Sequence, residues 1–247
     1  MDFKEKIKTE WQKLTADADK RAVVAILYIT VAVGLYFYFG IQDFFEKTFG
    51  AYFSSPAELL YYKYIYHNFM AFVFFFLLSL PVSKLLLKQK AADVGLKFQE
   101  KKSSLILMLI SLAIVPLISL SAVADAEMSA LYPLGGSMIF LNAGFFILYY
   151  VSYIAYYFGW EYLFRGFGFF SISEKYGPML AIAVTTMISA LIHSSIGGFG
   201  KPFSETFSAI FGGLIFGFIA YKTKSIYPSL LMHFVLGFCL DMFVYFI

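Results

Sequence analysis

Charge is scarce in this chain. Asp, Glu, Lys and Arg make up 14% of its 247 residues, about half the share usual in soluble domains. That scarcity excludes a disordered polymer and a charged coiled coil. Cysteine is almost missing: Cys239 stands alone, so these residues form no disulfide among themselves, and cysteine usage carries no hint of compartment. With 18 Gly and 7 Pro, a collagen-like chain is excluded too. A net charge of +3 is too small to hold a polyanion, so no nucleic-acid partner is expected. What fills the chain is apolar. Residues of the AVILMFWYC set reach 60%, with 31 Phe and 19 Tyr. A soluble chain of this size lacks the core volume to hide so much apolar surface. An integral membrane protein is the expectation.

The charges fall in clusters and leave long apolar runs near 22–43, 64–87, 104–124, 138–170, 179–196, 206–221 and 226–247. Crossing the hydrocarbon takes about 20 apolar residues in a helix. The runs are too long and continuous for barrel strands. The predicted fold is all-α, a polytopic transmembrane helical bundle of about seven to eight membrane helices, with residues 22–247 as one membrane domain. The run through 133–172 is too long for one straight span: 40 helical residues would rise about 60 Å, twice the hydrocarbon thickness. Gly159 is the candidate break point.

Lys and Arg orient the bundle. Sixteen of them fall on one side: Lys4, Lys6, Lys8, Lys13, Lys20, Arg21, Lys84, Lys88, Lys90, Lys97, Lys101, Lys102, Arg165, Lys175, Lys222 and Lys224. Only Lys47, Lys63 and Lys201 fall on the other. The expectation is a multi-pass protein of the inner (plasma) membrane, in contact with its lipid, with a cytoplasmic N-terminus. Residues 1–21 mix acids and bases before any apolar run, unlike a cleavable signal peptide. Phe3, Ile7, Trp11 and Leu14 recur at helical spacing. Residues 1–21 are therefore expected to form an amphipathic helix lying on the cytoplasmic leaflet.

Ionisable groups within apolar runs are costly, which makes them functional candidates. Five stand out: Glu161, Arg165, His193, His233 and Asp241. Glu161 and Arg165 are four apart with the acid first, the better order for a helical ion pair. Such a pair can be a mere neutralised couple. Beside two embedded histidines it can also serve water activation and oxyanion stabilisation. Counting about 1.5 Å per residue, the depths of Glu161, His193 and His233 match only if the fourth span continues past 160 to about 172. Asp241, two turns beyond His233, falls near the depth of His193. Glu205 is read as a solvated helix end and His67 as interfacial. Gly213 and Gly217 form a small-xxx-small spacing that lets helices pack closely.

Glu161-xxx-Arg165-Gly166, then His193, then a glycine-rich span ending at Tyr221 to Pro228, then His233, resembles the CPBP family. These are the CAAX protease and bacteriocin-processing (Abi) intramembrane endopeptidases. The resemblance covers about 150–245, so the CPBP-like core is set at about 138–245. The family pattern has two adjacent glutamates before xxx-Arg, then Phe-xxx-His, then His-xxx-Asn or Asp. Here Trp160 stands for the first glutamate, Ser189 for the Phe and Gly237 for the Asn. The resemblance gives water activation to the first glutamate and pairs the second with the arginine, so Glu161 matches the partner of Arg165. Neighbouring helix positions point about 100° apart, and Glu161 cannot simply replace the missing carboxylate. Three readings stay open: Glu161 acts as base beside Trp160, another acid such as Asp241 acts, or the chain binds without cutting.

The resemblance implies hydrolysis of a peptide bond in a lipidated or hydrophobic peptide or protein, with Glu161, His193 and His233 as catalytic candidates. Arg165, Asp241, Trp160 and Gly237 are expected to support them. His and Glu are zinc-ligand types, so a divalent metal is an open but disfavoured reading, since there is no HExxH; no other cofactor is expected. The alternative is a catalytically inactive membrane protein of the same fold that acts by binding, as an immunity or partner protein.

Overall fold

The structure is a computed structural model that describes residues 2–194 and 200–247, apart from the side chain of Leu14. Among the described residues every regular element is helical. Helix α1 (Phe3–Thr15) leaves Phe3, Ile7 and Trp11 exposed along one row. Leu14, the fourth member of that row, lies outside the described side chains. Helix α2 (Lys20–Phe39) starts where the Asp19 carboxylate accepts from the Ala22 N–H at 2.9 Å, a side-chain N-cap. A short α3 (Gln42–Phe49) follows. Helix α4 (Pro56–Ala71) opens on Pro56 and runs through two widened π turns to Leu86. Helix α5 (Lys101–Ala122) and a one-turn α6 (Ala126–Leu131) come next.

Helix α7 (Ala143–Glu161) is capped by Asn142, whose Oδ1 accepts from Gly144 and Phe145 N–H. It passes into a π stretch (Tyr162–Gly168) and on into α8 (Phe169–Tyr176). Then come α9 (Pro178–His193), α10 (Phe203–Thr223) and α11 (Tyr227–Phe246). Five stretches are long and apolar enough to cross a membrane: Lys20–Tyr52, Pro56–Leu86, Lys101–Ala122, Phe203–Thr223 and Tyr227–Phe246. Helix α9 is apolar but has only 16 residues. The chain is a multi-pass helical membrane protein. Helix α7 sits at its centre, against α4 on one side and α11 on another, while α9 packs on α10 and α5 on α11.

The long fourth run is resolved as the depth argument requires, because helix continues from Ala143 to Tyr176. Its break is not at Gly159. A Cβ there would lie 2.9 Å from the Ala71 carbonyl and 3.0 Å from Phe72 Cα, so this glycine exists to let α7 meet α4. The irregularity comes one turn later, where the Phe169 N–H reaches back to the Phe164 carbonyl across a widened turn. The small pair on α10 behaves as read: Gly213 meets Thr186 and Gly217 meets Ile182 on α9.

Helix ends gather in two sets. One holds the Arg21–Glu174 ion pair, Asp19 N–H to Tyr176 Oη (3.2 Å), and Ile226 N–H to the Gly95 carbonyl (3.0 Å). The other holds Lys63–Glu46 (2.9 Å), Ser204 Oγ to Asp125 Oδ2 (2.6 Å) and Lys201–Glu205 (3.3 Å). The basic-rich and basic-poor segments of the sequence separate in the same way. Arg165 is the exception. It is 3% exposed inside the bundle, so it is no topology charge, and the bias stands without it.

A candidate active-site cavity

A cavity of about 440 Å³ opens among α4, α5, α7, α9, α10 and α11. His193 and His233, the two imidazoles read as partners from sequence, both line it, as do Arg165, Trp160, Ser189 and Gly237. His233 comes from the second turn of α11. His193 is the last residue of α9. Because α9 rises only about 24 Å, its end stops inside the bundle, and His193 is presented there rather than at the surface.

Glu161 is fully buried, and its Oε1 accepts from His233 Nδ1 at 2.8 Å. Arg165 Nη1 stands 3.7 Å from the same oxygen, completing the expected i,i+4 pair. The guanidinium also lies over Phe216, 5.6 Å from the ring centre, which suits a delocalised cation. The carboxylate does not reach the cavity; its neighbour Trp160 does. The 100° turn between adjacent helix positions sends Glu161 toward α11 and Trp160 toward His193, whose ring it meets edge-on at 5.4 Å. Glu161 therefore stands behind a histidine rather than facing the site.

The two imidazoles have their protons set by their neighbours. His193 Nδ1 lies 2.7 Å from the Ser189 carbonyl. A carbonyl only accepts, so that nitrogen carries the proton. His233 Nδ1 meets a carboxylate and carries one for the same reason. In the neutral ring of His233, Nε2 is an acceptor, able to bind a water proton.

Asp241 is buried against the Tyr150 hydroxyl at 3.4 Å. It is not among the residues that line the cavity, whereas Leu240 and Gly237 on the same helix are. The depth match with His193 does not bring Asp241 into the site. No three His, Cys, Asp or Glu among the described residues gather closely enough to hold one metal ion.

Two residues read as peripheral are not. His67 is 6% exposed, bonded to Tyr36 Oη at 2.8 Å, stacked on Tyr156 and present at the cavity wall. Glu205 is no solvated end: it lines the cavity, meets Lys201 at 3.3 Å and accepts from Tyr132 Oη at 3.2 Å. His67 was misread because α4 starts at Pro56, well before the apolar run, and Glu205 because a position near a helix end says nothing about what folds over it. The tyrosines of α7 were missed as site residues. Tyr153, Tyr156 and Tyr157 all line the cavity. A signal was present: Tyr149, Tyr153, Tyr156 and Trp160 recur at spacings of four, three and four, one face of a helix.

A half-buried pair of imidazoles, one backed by a carboxylate and a guanidinium, thus sits inside a multi-pass helical membrane bundle. Residues 142–239 match the family model described as Type II CAAX prenyl endopeptidase Rce1-like. The match runs from α7 to α11 and takes in every motif behind the CAAX-protease resemblance; over that stretch the chain is CAAX-protease-like. No curated protein and no solved structure matches it.

Proposed function

We propose that the protein is an intramembrane endopeptidase that hydrolyses a peptide bond in a lipidated or hydrophobic membrane-associated peptide. The observation that carries this reading is the Glu161–His233 contact at the wall of a cavity that His193 also lines. Water held by the Nε2 acceptor of His233, beside His193, keeps a lone pair for the scissile carbonyl carbon. His233 takes one proton as the C–O bond forms, and the resulting imidazolium is stabilised by Glu161. That proton then passes to the leaving amine as the C–N bond breaks, which returns His233 to neutrality. Arg165 keeps Glu161 ionised and turned toward His233. Trp160 closes the wall where the resemblance has a carboxylate, so Glu161 acts through His233 as a positioning residue. The match to prenyl endopeptidases supports a prenylated C-terminal peptide as substrate. The basic-residue bias supports an inner-membrane protein with a cytoplasmic N-terminus and α1 lying on the leaflet.

The test uses the full chain in liposomes with a fluorogenic farnesylated peptide ending in Cys-aliphatic-aliphatic-X. Cleavage by wild type, falling by about 10²–10⁴-fold in His233→Ala with folded yield kept, is expected. A wild-type protein that binds the peptide without cutting it would instead make this a non-catalytic member of the fold.

A further inference from the structure

An acceptor is supplied by the imidazole of His233, but a peptide carbonyl oxygen needs a donor. Arg165 is turned to Glu161, and Lys201 is held at the other pole by Glu205 and Tyr132. Beside His233 stand two hydroxyls. The ring of Tyr157 lies 4.3 Å from that of His233, and Tyr157 Oη donates to Tyr153 Oη at 2.9 Å. Both face Gly237, one turn beyond His233. A Cβ built on Gly237 would overlap both hydroxyl oxygens. The absence of a side chain at 237 and the presence of the tyrosine pair are therefore one feature, since the space holds either a side chain from α11 or two hydroxyls from α7. A chain of two hydroxyls spends one proton internally and has a second to give.

We propose that the Tyr153–Tyr157 hydroxyl pair is the hydrogen-bond donor to the carbonyl oxygen of the bound peptide, occupying the space that a side chain at position 237 would fill. The proposal rests on the peptidase reading of this cavity. The pair acts where negative charge develops on the carbonyl oxygen, and removing a donor of that kind typically costs about 10²–10³ in kcat.

The farnesylated peptide and liposomes described above serve for the test. The double variant Tyr153→Phe/Tyr157→Phe is expected to lose about 10²–10³-fold in kcat with little change in KM. Tyr149→Phe, on the same helix but away from the cavity, controls for loss of a buried phenol. Adding Gly237→Asn to the double variant places an amide where the hydroxyls were and is expected to recover about tenfold or more. Gly237→Asn alone is expected to fold poorly, because the hydroxyls still fill the space. Wild-type kcat in the double variant, or no recovery in the triple, overturns the proposal. If wild type cuts nothing, the peptidase reading fails and binding decides the donor's role. Wild type is then compared for the peptide and for its analogue with the cysteine carbonyl reduced to methylene. A preference for the carbonyl form that the double variant loses supports the donor; equal affinities in wild type overturn it.

Discussion

The cavity has two charged poles, built alike and placed differently. At the inner pole Glu161 meets Arg165 and His233, with side-chain exposures of 0%, 3% and 14%. At the outer pole Glu205 meets Lys201 and Tyr132, with the acid 17% and the lysine 12% exposed. Each is an acid with a base four residues away on the same chain segment. The outer pair retains some contact with solvent, while the inner pair is closed off from it. A carboxylate kept in that position depends on every partner it has. The inner pole is thus a coupled unit, and the outer one a set of separable contacts.

That difference can be broken most sharply by chemistry. Glu161→Gln keeps the shape but cannot stabilise an imidazolium, so cleavage of the farnesylated peptide should fall by about 10²–10⁴-fold. His233→Ala should do the same, and the two losses should not add, because a unit fails as a unit. Glu205→Gln should cost far less. A Glu161→Gln variant that cleaves the peptide with wild-type kcat would remove Glu161 from the proposed reaction and turn attention to Asp241, despite its place behind the wall.

Stability gives the next contrast. Arg165→Ala takes from Glu161 the one fixed cation beside it and should cost about 3–5 kcal/mol, read as lost folded yield or a lower unfolding midpoint in detergent. Lys201→Ala should cost about 1.5–3 kcal/mol, the value of a hydrogen bond to a charged group. Equal losses would show the poles to be equivalent. A Cβ at Gly159 presses on the α4 backbone, so Gly159→Ala should cost about 1–3 kcal/mol and depress cleavage by moving the inner pole while leaving the outer one in place. Tyr132→Phe, which deletes the outer hydroxyl bonds, should cost about 1 kcal/mol and is the smallest expected effect.

The inner pole was half legible in the sequence. Glu161 and Arg165 announce each other because four residues on a helix bring side chains together whatever the tertiary fold. The rotation between Trp160 and Glu161 was legible for the same reason, and in the structure Trp160 lines the cavity while Glu161 does not. His233 is 72 residues from Glu161, and no local rule selects it over His193 as the partner. The outer pole was less legible: Lys201 and Glu205 are four apart, but Tyr132 comes from a distant segment, and their polarity reads as ordinary interfacial decoration.

By itself the sequence determined that this is a helical membrane protein and which segments end together, because burying backbone in lipid and placing lysines are costs fixed by composition and order. It also set the Glu161–Arg165 ion pair and the CAAX-protease-like order of motifs. Only the tertiary structure decided that His233 takes the carboxylate and Asp241 is left behind the wall. It also brought His67 and Glu205 to the cavity and filled the room beside Gly237 with two tyrosine hydroxyls. Those outcomes turn on which helix faces meet at angstrom range, and that depends on the packing of every other helix at once.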